Sequence, residues 1–202
     1  LYGGALQVKY LINGLQKLGV ENILVCGKKS EMAKQDWADT RCYSASMDGD
    51  MDLRFLFRLR SIIKKERPDL IHLHSRRGAD TWGALAARSL KIPVILSRRV
   101  DNPEWAWVVR LKYRMYDHVI TISEKIRSIL IKEGVDANKI TCVPSAVDAQ
   151  FFSGACEPDW FEQEFQLSAG YKVFAVIAQF IPRKGHWFLF EAMPKIIDHD
   201  PT

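Results

Sequence analysis

From Gln7 to Pro144 the chain alternates short β-branched runs with longer segments of helical period, and that alternation leaves few architectures open. A continuous apolar run is the mark of a strand buried on both faces, and two parallel strands need a long crossover, normally a helix, between them. The runs are "NILVCG", "DLIHLH", "PVILS", "HVITIS" and "KITCVPS", about five parallel strands before Pro144. Between them Val8, Leu11, Ile12, Leu15 and Leu18 repeat at helical spacing up to Gly19, placed as a C-terminal glycine. Asp52 is placed to cap a helix with the apolar stripe Leu53, Leu56, Leu59, Ile62 and Ile63, which Pro68 terminates. "GADTWGALAARSL", "EWAWVVRLKYRMY" and "EKIRSILIKEG" supply further helices. The pattern predicts an α/β protein on a doubly wound parallel sheet.

After Pro144 the pattern loosens. "SAVDAQFFSGACEPDWFEQEF" has linker and short-helix character, then "YKVFAVIAQF" reads as a strand and "GHWFLFEAMPKII" as a helix. One βα unit cannot cover its own faces, so the stretch from about residue 170 reads as the opening of a second α/β domain, truncated after that unit. The predicted organisation is a first domain over 1–145, a linker over 146–169 and the start of a second domain over 170–202. Trp187 and Phe188 are expected to pack against another surface. Because Leu1 opens the chain without a signal-peptide pattern, residues are expected to precede it.

Composition narrows the function. Charged residues break every apolar run well short of the roughly 20 residues a spanning helix needs. Cys26, Cys42, Cys142 and Cys156 lie far apart with no Cys-x-x-Cys pair, which predicts free thiols in a reducing compartment. Net charge is +5, but residues 1–150 carry 25 Lys and Arg against 17 Asp and Glu, while residues 151–202 are net acidic. A basic field on the larger segment attracts anions such as nucleotides, phosphorylated sugars, acidic lipid or nucleic acid. Nucleic acid fits poorly, because the arginines gather at strand ends instead of along a face with exposed aromatics.

Ligands of a doubly wound sheet sit at the carboxyl ends of its strands, near helix N-termini. "DLIHLHSRR" therefore places His74, Ser75, Arg76 and Arg77 at a crevice, with His72 one strand repeat deeper as buried support. "LSRRVDN" brings Ser97, Arg98, Arg99 and Asp101 to the next strand end, so four arginines are expected on one rim, where guanidinium groups grip phosphate or carboxylate. The His-x-His pair has no visible third ligand, and no metal site is expected. "YGG" is a short glycine turn entering a helix, suited to close approach by a phosphate. The helices "RFLFRLRSIIKK" and "WAWVVRLKYRMY" mix apolar and basic residues, as interfacial membrane helices do and as core-packing helices with a solvated basic face also do.

The order of "LYGGALQVKYLINGLQKLG", "PDLIHLHS", "YDHVITISEKIRSILIKEGVDANKITCVPSAVDAQFF" and "VIAQFIPRKGHWFLFEAM" resembles glycosyltransferase family 4 over nearly the whole chain. The resemblance implies a retaining, nucleotide-sugar-dependent enzyme of GT-B fold, with two Rossmann-like domains of which this chain holds the N-terminal, acceptor-side one. The family's first strand would precede Leu1. By this likeness His74 and Arg99 are the candidate catalytic residues. Gly3, Gly4, Gln179 and Lys184 are candidates for donor phosphate, and Ser75, Arg76, Arg77 and Arg98 for the acceptor. Neither metal nor other cofactor is implied, since the nucleotide-sugar is a substrate.

The chain also departs from the family pattern. The glycine and arginine ahead of the phosphate lysine are here Ala178 and Gln179, "NGVD" reads Ser145, Ala146, Val147, Asp148, and Arg98 or Arg99 replaces a histidine. The family's acidic motif would lie beyond Thr202. The implied activity is transfer of a sugar to a glycan or lipid-linked acceptor in bacterial cell-surface polysaccharide or lipopolysaccharide synthesis. The implied location is cytoplasmic, at the inner face of the plasma membrane, with an anionic membrane surface as a possible partner and this fragment alone inactive. The alternative is a non-catalytic relative that binds a glycan or a protein.

Overall fold

In the computed structural model, which describes residues 1, 3–74, 78–102, 104–154, 158–167 and 172–200, the alternation becomes strands joined by helical crossovers. Helix α1 (Gly3–Lys17) leads to β1 (Asn22–Cys26), which pairs in parallel with β2 (Thr40–Ser44). Helix α2 (Leu53–Glu66), β3 (Ile71–Leu73), α3 (Ala79–Arg88), β4 (Val94–Arg98), α4 (Ala106–Lys112), β5 (His118–Thr121), α5 (Glu124–Lys132) and β6 (Ile140–Cys142) follow. Strands β3–β4–β5–β6 form a second, wholly parallel sheet in sequence order. Strand β2 adds one to the five strands read from the sequence. "TRCYS" escapes notice because three of its five residues are exposed, so it carries no apolar run.

Local signals end these elements where the residues suggest. The Asp52 carboxylate accepts from the backbone N–H of Arg54 at 2.9 Å and Phe55 at 3.3 Å, satisfying first-turn donors of α2. Arg67, just before Pro68, takes a left-handed conformation that closes the same helix. Ser123 caps α5 through Ile126 N–H at 3.3 Å.

Burial follows the period. Val94, Leu96, Val119 and Ile140 from the sheet meet Ala84, Val109, Tyr113, Ile126 and Leu130 from α3, α4 and α5 and the turn after α4. A second cluster joins Phe55, Leu59 and Ile63 of α2 to Ala86 of α3. Gly83 is the contact point of α3 on β3: a Cβ there would lie 2.6 Å from Leu73 Cδ2. An alanine there would require the Leu73 side chain, on the strand that carries His72 and leads into His74, to shift.

The chain divides into two compact units, Leu1–Val147 and Asp148–Thr202. The second holds α6 (Ala149–Phe152), α7 (Pro158–Glu164) and α8 (His186–His199). Residues 172–178 run without a ladder partner, where the sequence suggests a strand, because a strand needs a neighbour to satisfy its backbone groups. No described residue of this unit is buried. Trp187 and Phe188 are 68% and 73% exposed, contrary to the expectation that they pack against another surface, since the described residues of the unit form no sheet face to receive them.

Candidate functional site at the ends of β3 and β4

The carboxyl ends of β3 and β4 bring two histidines and Arg99 together beside the start of α1. His74 directly follows β3, and its ring lies against that of His72 with centroids 3.8 Å apart. His72 Nε2 and the buried Ser97 hydroxyl are 2.8 Å apart, which fixes the deeper ring. His74 Nδ1 is buried and has no hydrogen-bond partner among the described residues, and the same holds for Arg99 Nε. Such groups cost stability unless something arrives to satisfy them.

Electrostatics keep both imidazoles neutral. Burial, then the Arg99 charge, lowers the His72 pKa to about 4. Burial, the neighbouring His72 and Arg99 lower that of His74 to about 3. At neutral pH His74 is therefore an uncharged ring able to donate or accept one hydrogen bond at Nδ1. Arg99 supplies the fixed positive charge.

Gly4 explains the glycine turn. A Cβ at this position would sit 3.4 Å from Arg99 Cδ, so glycine lets the first turn of α1 close on the arginine. Gly3 opens the helix at φ +54, a conformation other residues adopt at a cost. The start of α1, with its first-turn N–H groups, thus lies beside the Arg99 side chain, and a helix N-terminus next to a cation favours an anion. Gln7, one turn on, bonds both backbone groups of Ala146: Gln7 Nε2 donates to Ala146 O at 2.7 Å and Ala146 N–H donates to Gln7 Oε1 at 2.8 Å. Sequence reading missed this contact, which holds the altered "SAVD" segment to α1.

The arginines expected to share one rim do not behave alike. Arg98 is buried: its Nε donates to Val100 O at 3.0 Å, one terminal N–H to Asn102 O at 2.6 Å, and the other nitrogen pairs with Glu104 at 3.2 Å. Its donors hold the segment leading into α4, so it is not part of the rim. Ser75, Arg76 and Arg77 lie outside the described residues. In the second unit Lys184 is exposed on the turn before α8, where Gly185 at φ +74 opens the helix, and Gln179 is exposed ahead of it. Among the described residues no group of three His, Cys, Asp or Glu side chains comes together to hold a metal ion. None of the described helices is long and apolar enough to cross a membrane.

Residues 2–151 match the family described as Glycosyltransferase Family 4. A curated relative, the UDP-Gal:alpha-D-GlcNAc-diphosphoundecaprenol alpha-1,3-galactosyltransferase of Escherichia coli, is 24% identical across 96% of this chain and 57% of its own length. Among solved structures, a glycosyltransferase from Rickettsia africae superposes with a TM-score of 0.77 at 18% identity, over 96% of this chain and 53% of that one. Anabaena Alr3699/HepE in complex with UDP gives a TM-score of 0.77 at 13% identity, over 96% and 54%. These structural likenesses show the fold, a Rossmann-like α/β architecture, and this chain spans little more than half of each relative.

Proposed function

The chain belongs to glycosyltransferase family 4, and from that premise we propose that it is the acceptor-side half of an enzyme that moves a sugar from a UDP-sugar to a lipid-linked glycan acceptor. The observation that carries this reading is the pair at the strand ends, His74 Nδ1 and Arg99 Nε, buried without a partner among the described residues and set beside the first turn of α1. The lipid-linked acceptor and the UDP donor are suggested by the Escherichia coli relative, which is named for both. The process is the building of a bacterial surface glycan at the inner face of the plasma membrane.

Glycosyl transfer leaves negative charge on the departing diphosphate, and fixed cations and helix N-termini stabilise it as it develops. Arg99 and the Gly3 and Gly4 backbone are the groups for that task in the first unit, and Lys184 is the phosphate candidate that the second unit carries by itself. Gln179 cannot add charge there. A neutral His74 is suited to bind and orient a sugar hydroxyl at the reacting face, as donor or acceptor. Retention on one face of the donor sugar needs no protein nucleophile, so paired carboxylates, the signature of glycosidases, are not required. Nor does this scheme need a metal.

The full-length protein, incubated with UDP-galactose, UDP-glucose or UDP-N-acetylglucosamine and a polyprenyl-diphosphate-linked sugar, is expected to form an elongated lipid whose new linkage keeps the donor's α configuration. If no donor is transferred or hydrolysed and none binds, the enzyme reading fails and a non-catalytic glycan or protein binder takes its place.

A further inference from the structure

Two cysteines that lie sixteen residues apart in the chain meet across the smaller sheet. Cys26 closes β1, Cys42 sits in the middle of β2, and their sulfurs are 3.9 Å apart. The parallel register sets Cys42 beside Leu24 and Cys26 beside Ser44, so with a side-chain period of two both sulfurs rise from one face. The frame beneath them is held from both sides. On that face Gln16 of α1 donates to Thr40 Oγ1 at 2.9 Å and to Ala38 O at 2.6 Å. On the other, Tyr43 donates to Glu66 at the end of α2, and Arg41 pairs with the same carboxylate at 2.9 Å. Cys42 is exposed and Cys26 half-buried, so a small solute reaches the pair.

The separation decides what the pair can hold. A disulfide needs its sulfurs about 2.05 Å apart and its Cα atoms no more than about 6.8 Å apart. Cys26 is offset by two residues from the neighbour of Cys42, roughly 6.6 Å along the strand and 4.8 Å across, which puts the two Cα atoms about 8 Å apart. Closing that bond would pull β2 off its register. An ion between the sulfurs needs no such movement: metal–sulfur bonds of about 2.3 Å span about 3.8 Å at a tetrahedral angle and up to about 4.6 Å when linear. The 3.9 Å spacing falls inside that range.

We propose that Cys26 and Cys42 form a two-thiolate site for a soft metal ion, and that monovalent copper is the ion it suits. Thiolates select soft ions, and Cu(I) is satisfied by two of them. Zinc asks for four ligands, and among the described residues no third His, Cys, Asp or Glu side chain joins the pair. Binding exchanges two S–H bonds for two Cu–S bonds and releases two protons, giving a singly negative bis-thiolate with no change in oxidation state. Burial and then the neighbouring Cys26 push the Cys42 thiol above its ordinary pKa, so protons compete for the site and its affinity climbs with pH. Such a site is independent of the transfer reaction.

The test is an anaerobic competition titration of the reduced full-length protein against the Cu(I) complex of bicinchoninate. The protein is expected to withdraw one Cu(I) per chain at this pair, and Cys26→Ser or Cys42→Ser alone to weaken that binding at least about 100-fold. Cys142→Ser with Cys156→Ser should leave it within about threefold. From about pH 6 to about pH 7 the apparent affinity should rise by about 100-fold, the mark of two displaced protons. X-ray absorption of the loaded protein should show sulfur neighbours only. Cys42 is exposed, so Cys42→Ser should keep the circular dichroism of the unaltered protein and decides the matter if Cys26→Ser does not fold. No copper withdrawn, binding that survives in Cys42→Ser, its loss in the Cys142 and Cys156 double variant, or a one-proton pH dependence would overturn the site. So would a Cys26–Cys42 disulfide formed in full by diamide, since it would show that the strands bring the sulfurs to bonding distance.

Discussion

Arg98 and Arg99 stand side by side at the end of β4, yet their surroundings differ in kind. Around Arg98 every cation has an assigned partner: Asp80, Lys112, Glu104 and Arg98 form a chain of ion pairs that ties α3 to α4 and to the strand end. Around Arg99 a buried guanidinium nitrogen and a buried imidazole nitrogen are unpaired among the described residues, and the unpaired groups near the Arg98 chain include the Tyr113 and Tyr116 hydroxyls. The ion pairs of the first region hold α3, α4 and the strand end together, and the second region is the one proposed to receive a ligand. Neighbouring residues of identical chemistry thus take opposite roles, decided by what other elements bring to them.

Breaking the first region should produce the largest loss of stability. Lys112→Met leaves Asp80, whose side chain is 5% exposed, and Glu104 without their shared cation. Stranding a buried charge costs about 3–5 kcal/mol. Urea unfolding of the variant should show that loss, with a melting temperature lower by roughly 10 °C. A loss below about 1 kcal/mol would mean that the chain of ion pairs is solvated and that Arg98 is as available as Arg99.

The second region should respond the other way. His74→Leu removes a buried nitrogen that has no partner among the described residues, so folding stability should stay level or rise by up to about 1 kcal/mol. In the full-length protein the same change should cut sugar transfer by about 100-fold, the scale of losing one group aimed at the reacting centre. Turnover within about threefold of the unaltered enzyme would remove His74 from the site.

How far this contrast was legible beforehand depends on where each signal lives. The parallel strands and their helices were legible, because buried strands read as apolar runs and helix ends carry Asp52, Ser123, Gly19 and Gly134. So was the position of His74 directly after β3, from the end of the apolar run. Arg98 was not separable from Arg99, since Glu104 and the Lys112–Asp80 pair beyond it belong to other elements. The Gln7–Ala146 contact joins residues 139 apart and leaves no local trace. Nor does a helical stripe say which of its apolar residues stay exposed, as Trp105, Trp107 and Leu111 do.

The contrast has a pH signature, the smallest effect of the three. Both site histidines have folded-state pKa values depressed to about 4 and about 3, below the ordinary value of 6.5 in the unfolded chain. Between those limits the unfolded state binds protons that the folded state refuses, so stability is complete above about pH 6.5 and falls as pH falls toward 4. For His74 the loss from pH 7 to pH 5 is about 1–2 kcal/mol. Carboxylates also titrate at the acid end, so the informative quantity is the difference between the unaltered protein and His74→Leu. Their unfolding free energies should diverge with acidification, the variant losing less. Parallel curves would show that the His74 ring is freely protonated in the folded state. Its nitrogen would then be in contact with water, and the imidazole would be a charged surface group and not the neutral, waiting ring that separates this side of β4 from the Arg98 side.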